Sequence, residues 1–191
     1  MGTREEQKEK RREEILHAGL KLFIRKGYAA TKISDIAKQA GMSTGLMFHY
    51  FDSKEKLYEE LIRFGISGPT GMIAVTYDKP ILFFEESAKI ILQYIKSESI
   101  MAEMFVLMAQ AFYNDAIPDG AKELLASFDI YTPTAQLIEQ GQKDGTIREG
   151  NPRALAIAFW CAVQGIAEEI AIWPDTPCPE SEWLVDIIRK K

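Results

Sequence analysis

Residues 33–51 read ISDIAKQAGMSTGLMFHYF, and their spacing decides how the rest of the chain is read. Ile33, Ile36, Ala37 and Ala40 recur at intervals of three and four, which places them on one face of a short helix. Gly41 supplies the backbone freedom that a helix ending needs. Ser43 suits the N-cap of a second helix, in which Met47 and Phe51, four apart, face inward. Thr44, Gly45, Leu46, His49 and Tyr50 are left pointing elsewhere. Helix, tight turn and helix in this order make a helix-turn-helix, whose second helix characteristically meets base edges in the major groove. On this stretch alone, an ordinary corner between two helices fits equally well.

The flanking residues favour the first reading. Residues 4–26 form a helical pattern that is polar on every face up to Glu14 and amphipathic from Ile15 through Leu16, Gly19, Leu22 and Phe23. The polar part is expected to fray or to reach phosphates through Lys8, Arg11 and Arg12. Arg25, Lys26 and Gly27 give the helix a suitable end. After the central stretch, Asp52 and Glu55 have the spacing of a capping box, and Leu57, Leu61, Phe64 and Gly65 mark the buried stripe of the next helix. Gly45 allows close backbone approach, Leu46 suits a thymine methyl, and Thr44 at the helix start suits a phosphate.

Four runs carry a resemblance: Gly27-Tyr28-x-x-Thr31, Asp35-Ile36-Ala37-x-x-Ala40-Gly41, Ser43-x-Gly45, and His49-Tyr50-Phe51-x-Ser53-Lys54-x-x-Leu57. In order and spacing they resemble the DNA-binding half of the tetracycline-repressor (TetR) family of bacterial transcriptional regulators. The resemblance covers roughly the first sixty residues. It implies an all-α protein with a three-helix helix-turn-helix DNA-binding domain, residues 1–58, and a helical ligand-binding and dimerisation domain, residues 59–191. It also implies that Thr31, Lys32, Ser43, Thr44, Gly45, Leu46, His49, Tyr50 and Lys54 form the DNA-binding set, with Lys54 in the place of the family's phosphate-contacting lysine. Two positions depart from the pattern. Phe48 stands where most members have Tyr, so a phosphate hydrogen bond is lost, and Lys32 stands where many have a hydroxyl residue. Capping of the first short helix then falls on Thr31 or is imperfect.

The net charge of −5 argues at first against nucleic acid. Its distribution does not. Residues 1–58 hold 12 Lys/Arg against 8 Asp/Glu, and the remainder holds 11 against 20. The positive excess therefore accompanies the helix-turn-helix. With 191 residues, 47% hydrophobic and 27% charged, the chain can bury a substantial core. No apolar run is expected to approach a membrane span, and the charged beginning MGTREEQKEKRREE does not read as a signal peptide. Cys161 and Cys178 are read as reduced, the location as cytoplasmic, and no cofactor, metal or membrane partner is expected. No phosphate-cradling glycine loop, G-x-S-x-G or H-E-x-x-H supports the alternative of a small all-α enzyme.

Beyond residue 66 the proline- and glycine-rich stretch 67–80 reads as a loop, followed by helical patterns over 81–96, 100–114, 121–130, 135–142 and 152–173 and a short last helix. Pro133 is expected to break or kink its surroundings. Met104, Phe105, Met108, Phe112, Tyr131, Trp160 and Gln164 are candidates for lining an apolar effector cavity. Plain core packing is the competing reading, and the amide of Gln164 is the better sign of a ligand. Phe159, Val163, Ile170, Trp183, Leu184 and Ile187 are the candidate face between two copies, since a palindromic operator in double-stranded DNA calls for a homodimer. Burial within one subunit is the alternative. A DNA-binding regulator without a small-molecule effector is a second reading of the whole chain.

Overall fold

A computed structural model describes residues 3–97 and 99–191. Ten helices follow one another in it: α1 (Arg4–Lys26), α2 (Ile33–Gln39), α3 (Thr44–Met47), α4 (Lys54–Ile73), α5 (Pro80–Ser97), α6 (Ser99–Phe112), α7 (Asp119–Ala126), α8 (Tyr131–Lys143), α9 (Pro152–Ile172) and α10 (Ser181–Val185). Among the described residues the β structure is one antiparallel bridge, between Ile147 and Arg189. The chain divides into two units, Met1–Gly65 with Val106–Ser127, and Ile66–Phe105 with Phe128–Lys191. The divisions fall inside α4, inside α6 and between α7 and α8.

In the first unit, α1 is helical from its first turn. The Thr3 hydroxyl accepts from the Glu6 N–H at 3.3 Å, and the Glu6 carboxylate accepts from the Thr3 N–H at 2.7 Å. This reciprocal capping box satisfies two otherwise orphaned donors. It was illegible because the Thr-x-x-Glu pattern precedes a polar run instead of an apolar one. From Ile15 onward the helix buries Ile15, Leu20 and Phe23 against Leu57, Tyr58 and Leu61 of α4 and Ile36 of α2, all at most 2% exposed. Gly19 is where α1 and α4 approach closely: a Cβ there would sit 2.6 Å from Leu57 Cδ2. The rings of Phe23, Tyr28 and Tyr58 pack with centroids 4.9–5.8 Å apart. Burial pushes the Tyr58 phenol up to about 12.

α4 differs from expectation at both ends. Its start is capped by Ser53, whose hydroxyl accepts from the Lys56 N–H at 3.2 Å, and not by Asp52. It then runs through Pro69 to Ile73, across much of the stretch read as a loop. Pro69 removes one backbone donor, but the residue before it is Gly68, which has no Cβ to clash with the proline ring. The Thr70 hydroxyl also returns to the Ile66 carbonyl at 2.9 Å. Pro133 likewise breaks nothing. It occupies the third position of α8, within the first turn, where a backbone N–H has no intrahelical acceptor to lose.

The core of the second unit joins α5, α8, α9 and α10 through Phe83, Phe84, Ile138, Phe159, Val163 and Val185, all at most 1% exposed. Phe83, Phe84, Phe159 and Trp160 form an edge-to-face series with centroids 5.0–5.1 Å apart. Asn151 caps α9 by accepting from the Ala154 N–H at 3.0 Å, with Pro152 at the first position, as the sequence predicts. One expectation was too strict. α9 has 21 residues and a mean hydropathy of 1.6, long and apolar enough by that measure to cross a membrane. Its Phe159, Val163 and Ala167 are fully buried in the protein core, as in a central helix of a globular unit.

Gly141 in α8 faces Ile147, and a Cβ added there would lie 2.6 Å from Ile147 Cγ1 and 3.1 Å from its Cβ. Ile147 is fully buried and tied by its own N–H to the Gly141 carbonyl at 2.9 Å, so it has little room to yield. Gly141→Ala is expected to lower the unfolding free energy by about 1–3 kcal/mol through overpacking, read from urea denaturation.

Candidate nucleic-acid interface

The helix-turn-helix is built from α2, a turn through Gly41 and α3. Gly41 adopts φ +68°, and the Met42 N–H returns to the Ala37 carbonyl at 3.0 Å. The Ser43 hydroxyl accepts from the Leu46 N–H at 3.2 Å and caps α3. Lys32 precedes α2 and gives it no side-chain cap, so capping there is imperfect. α3 is shorter than the sequence pattern implies. Past Met47 the chain continues as turns, with the His49 N–H on Leu46 O at 3.1 Å and the Tyr50 N–H on Met47 O at 2.9 Å. Gly45 and the run Phe48-His49-Tyr50 are weak helix formers, and burial of Met47 and Phe51, at 0% and 3% exposure, holds the segment in their place.

That anchoring turns the reading residues outward. Ser43, Gly45, Leu46, Phe48 and His49 are exposed, Leu46 by 46% and Phe48 by 47%, and Thr44 and Tyr50 are half-buried. A Cβ at Gly45 would meet nothing within 4 Å, so no packing within the protein demands glycine there. Lys32 is also exposed.

Three expected DNA contacts have other partners. Thr31 is 1% exposed, and its hydroxyl donates to the Gly27 carbonyl at 2.8 Å and lies 3.3 Å from the Leu22 carbonyl. Lys54 Nζ donates to the carbonyls of Tyr28 at 2.9 Å and Thr31 at 3.0 Å, and stands 4.0 Å above the Tyr28 ring centroid. Arg12 is paired with Glu60 and lies 4.9 Å from the Phe51 ring centroid. All three hold the unit together. The Tyr28 hydroxyl donates to Glu55 at 2.8 Å. Burial, then this bond, raises the Tyr28 phenol well above its ordinary range. The Glu55 carboxyl is held below the usual carboxylate range by its own backbone N–H, by Ser53 and by Tyr28.

Beside the reading residues lies a concavity of about 890 Å³, between the amino half of α1 and the segment of Leu46, His49 and Tyr50. Arg4, Lys8, Lys10 and Arg11 line it, with Gln7, Glu5 and Glu14. Arg4 and Lys10 were not among the expected phosphate contacts, since the surrounding charges cancel in the sequence.

The candidates for the second unit fare differently. Trp160 is 8% exposed and its indole N–H donates to the Thr134 hydroxyl at 3.2 Å, and Met104 is 4% exposed. The Gln164 amide nitrogen has partners within the chain, since it donates to Phe105 O at 3.1 Å and to Glu168 at 2.7 Å. Phe105 and Tyr131 are half-buried, and Met108 and Phe112 fall in the first unit. Of the expected face between copies, Phe159, Val163, Ile170 and Leu184 lie inside the subunit, Ile187 is half-buried, and Trp183 is exposed by 65%. The competing reading, burial within one subunit, holds for those four.

A solvent-facing helix-turn-helix on a three-helix support defines an all-α DNA-binding regulator. The family profile described as "Bacterial regulatory proteins, tetR family" matches residues 15–61. The HTH-type transcriptional repressor KstR2 of Rhodococcus jostii (strain RHA1) is 29% identical over 170 residues, covering 81% of this chain and 78% of its own. The crystal structure of the MbdR regulator from Azoarcus sp. CIB has a TM-score of 0.71 at 23% identity, over 92% of this chain and 95% of that one. AibR in complex with isovaleryl coenzyme A and operator DNA has a TM-score of 0.65 at 17% identity, over 92% and 94%. Residues 15–61 thus resemble the DNA-binding part of the TetR family, and the chain at large is similar to transcriptional regulators of that kind.

Lys54→Ala is expected to lower the stability of the first unit by about 2 kcal/mol, because it orphans two carbonyls bonded to a charged donor. His49→Ala, at an exposed position, is expected to stay within about 0.5 kcal/mol of the parent. Thermal unfolding of the two variants side by side checks the contrast.

Proposed function

We propose that this regulator is a repressor that binds a palindromic operator as a homodimer, works in the cytoplasm, and leaves its site when a small apolar or amphipathic effector binds. The observation that carries the DNA-binding part is the outward display of Ser43, Thr44, Gly45, Leu46, His49 and Tyr50 over the buried anchors Met47 and Phe51. Lys32 and the positive excess of residues 1–58 add the electrostatic attraction that phosphates reward. The similar chain named a repressor supports the sign of the effect. Leu46 supplies an apolar contact for a thymine methyl, and His49 a donor for a base or phosphate.

The face between copies is reassigned by burial. The outer side of α9 carries Ile157, Ala158, Cys161, Gly165 and Ile172, all exposed and spaced to form one stripe. Small residues let a second helix approach closely, and Ile157 and Ile172 supply area to bury against it. The effector part draws on the AibR complex, which holds both an acyl-coenzyme A and operator DNA. Within the second unit, Phe105 and Tyr131 are the half-buried aromatic candidates for contacting such a molecule. The effector can shift DNA affinity only as far as it prefers one conformation over the other.

A gel shift against fragments upstream of the protein's own gene, repeated over a salt series, tests the central claim. Binding to one fragment well above random duplex, weakening as salt rises, is the expected result, and equal affinity for all fragments refutes it. Uniformly flat thermal shifts across acyl and cationic compounds favour a regulator without an effector. Cys161→Arg and Gly165→Arg each place a charge on the α9 stripe, where a side chain at Gly165 meets nothing within 4 Å in the single chain. Both are expected to convert a dimer to a monomer in sedimentation and to weaken operator binding by about 100-fold or more, because a monomer reaches one half-site at a time.

A further inference from the structure

Between Arg4 and Glu14, α1 holds five basic and five acidic residues, so this part of the helix is neutral by count. In space the charges separate. Arg4, Lys8, Lys10 and Arg11 line the 890 Å³ concavity, where the acids are Glu5 and Glu14. Glu6 is committed to the Thr3 cap, Arg12 is turned to Glu60, and Glu9 and Glu13 lie outside the lining. The concave side therefore carries an excess of two positive charges. Arg11 shares its charge with Glu14 at 2.6 Å, but among the described residues Arg4, Lys8 and Lys10 form no ion pair, and all three are exposed.

We propose that the amino half of α1 is a second DNA-binding element, which grips the sugar-phosphate backbone flanking the segment read by Leu46 and His49. The proposal rests on the DNA-binding reading above. Arg4, Lys8 and Arg11 follow at i, i+4 and i+7, so they share one helical face. The capping box at Thr3 keeps that face in place to the end of the helix. The opposite wall of the concavity is formed by Leu46, His49 and Tyr50, the reading residues themselves, so a strand leaving them has the basic face beside it. Long cations on the α1 wall, with Gln7 beside them, suit phosphate oxygens, which position a protein without specifying sequence. Residues 4–14 precede the part matched by the family profile, which begins at residue 15.

The test compares the parent with the double variant Arg4→Gln, Lys8→Gln and with Glu5→Gln, using a duplex selected by the parent from genomic fragments. In the double variant, the plot of log K against log salt is expected to flatten by about 0.9 for each phosphate no longer neutralised, near 2 per subunit. Preference among operator mutants should be unchanged, and trimming the flanking base pairs should bring the parent down to the variant's affinity. Glu5→Gln removes a groove acid and is expected to tighten binding, a gain that a misfolded variant would not show. An unchanged slope, or a lost preference among operator mutants, overturns the assignment while the helix-turn-helix reading stands. Failure of the parent to bind any fragment overturns both.

Discussion

The ammonium of Lys54 satisfies two main-chain carbonyls, those of Tyr28 and Thr31, and lies over the ring of Tyr28. Those carbonyls belong to the connection between α1 and α2, so a side chain at the first residue of α4 fixes where α2 starts. A partly buried cation is costly unless paired, and here the pairing is dipolar and aromatic instead of ionic. Glu55, the next residue, receives the Tyr28 hydroxyl, and the Thr31 hydroxyl returns to Gly27. Four polar groups thus close one short connection, and the position of α2 and α3 follows from it. The exposed surface of Ser43, Gly45, Leu46 and His49 is the far consequence of that closure.

The charge pattern of the first unit repeats this division of labour. Arg12 and Lys54 spend their charge inside the unit, on Glu60 and on carbonyls, and Lys26 spends its charge on Asp35 at 3.0 Å. The Asp35 carboxyl is held below the usual range chiefly by that bond. A count of basic residues overstates what is available to a polyanion. The rim of the reading segment keeps Lys32 and the cations Arg4, Lys8 and Lys10 of α1.

Much of this was legible in the sequence, for local reasons. The spacing of Ile33, Ile36, Ala37 and Ala40, the glycine at 41 and the serine at 43 specify helix, turn and helix by their own geometry, and Asn151-Pro152 announces α9. The fate of Lys54 was not legible, because its partners lie 23 and 26 residues away and are main-chain atoms, which no residue pattern marks. Thr31 was misplaced for the same reason. The loop expected over residues 67–80 holds only for 74–79, because proline and glycine were weighed one at a time. Gly68 directly before Pro69 relieves the clash that would otherwise end the helix.

α9 shows a harder limit. A helix apolar on nearly every side tells a reader that it is covered, but not which side faces its own subunit. The large residues Phe159, Val163 and Ile170 looked like a face between copies, yet they are the ones that fill the core of the second unit. Phe159, Trp160, Val163 and Ile170 fill that core together with the small Ala156 and Ala167. Ala158, Cys161 and Gly165 are then the outer surface, with Ile157 and Ile172 beside them. A surface of that kind gains little from water, and between Gly165 and Ile172 it carries charge at the exposed Glu169. A second copy of the same stripe, related by a twofold axis, presents equally small side chains in return and allows the closest approach of two helix axes. Cys161 and Gly165, and not the aromatic residues one helical face away, are the centre of the proposed dimer face.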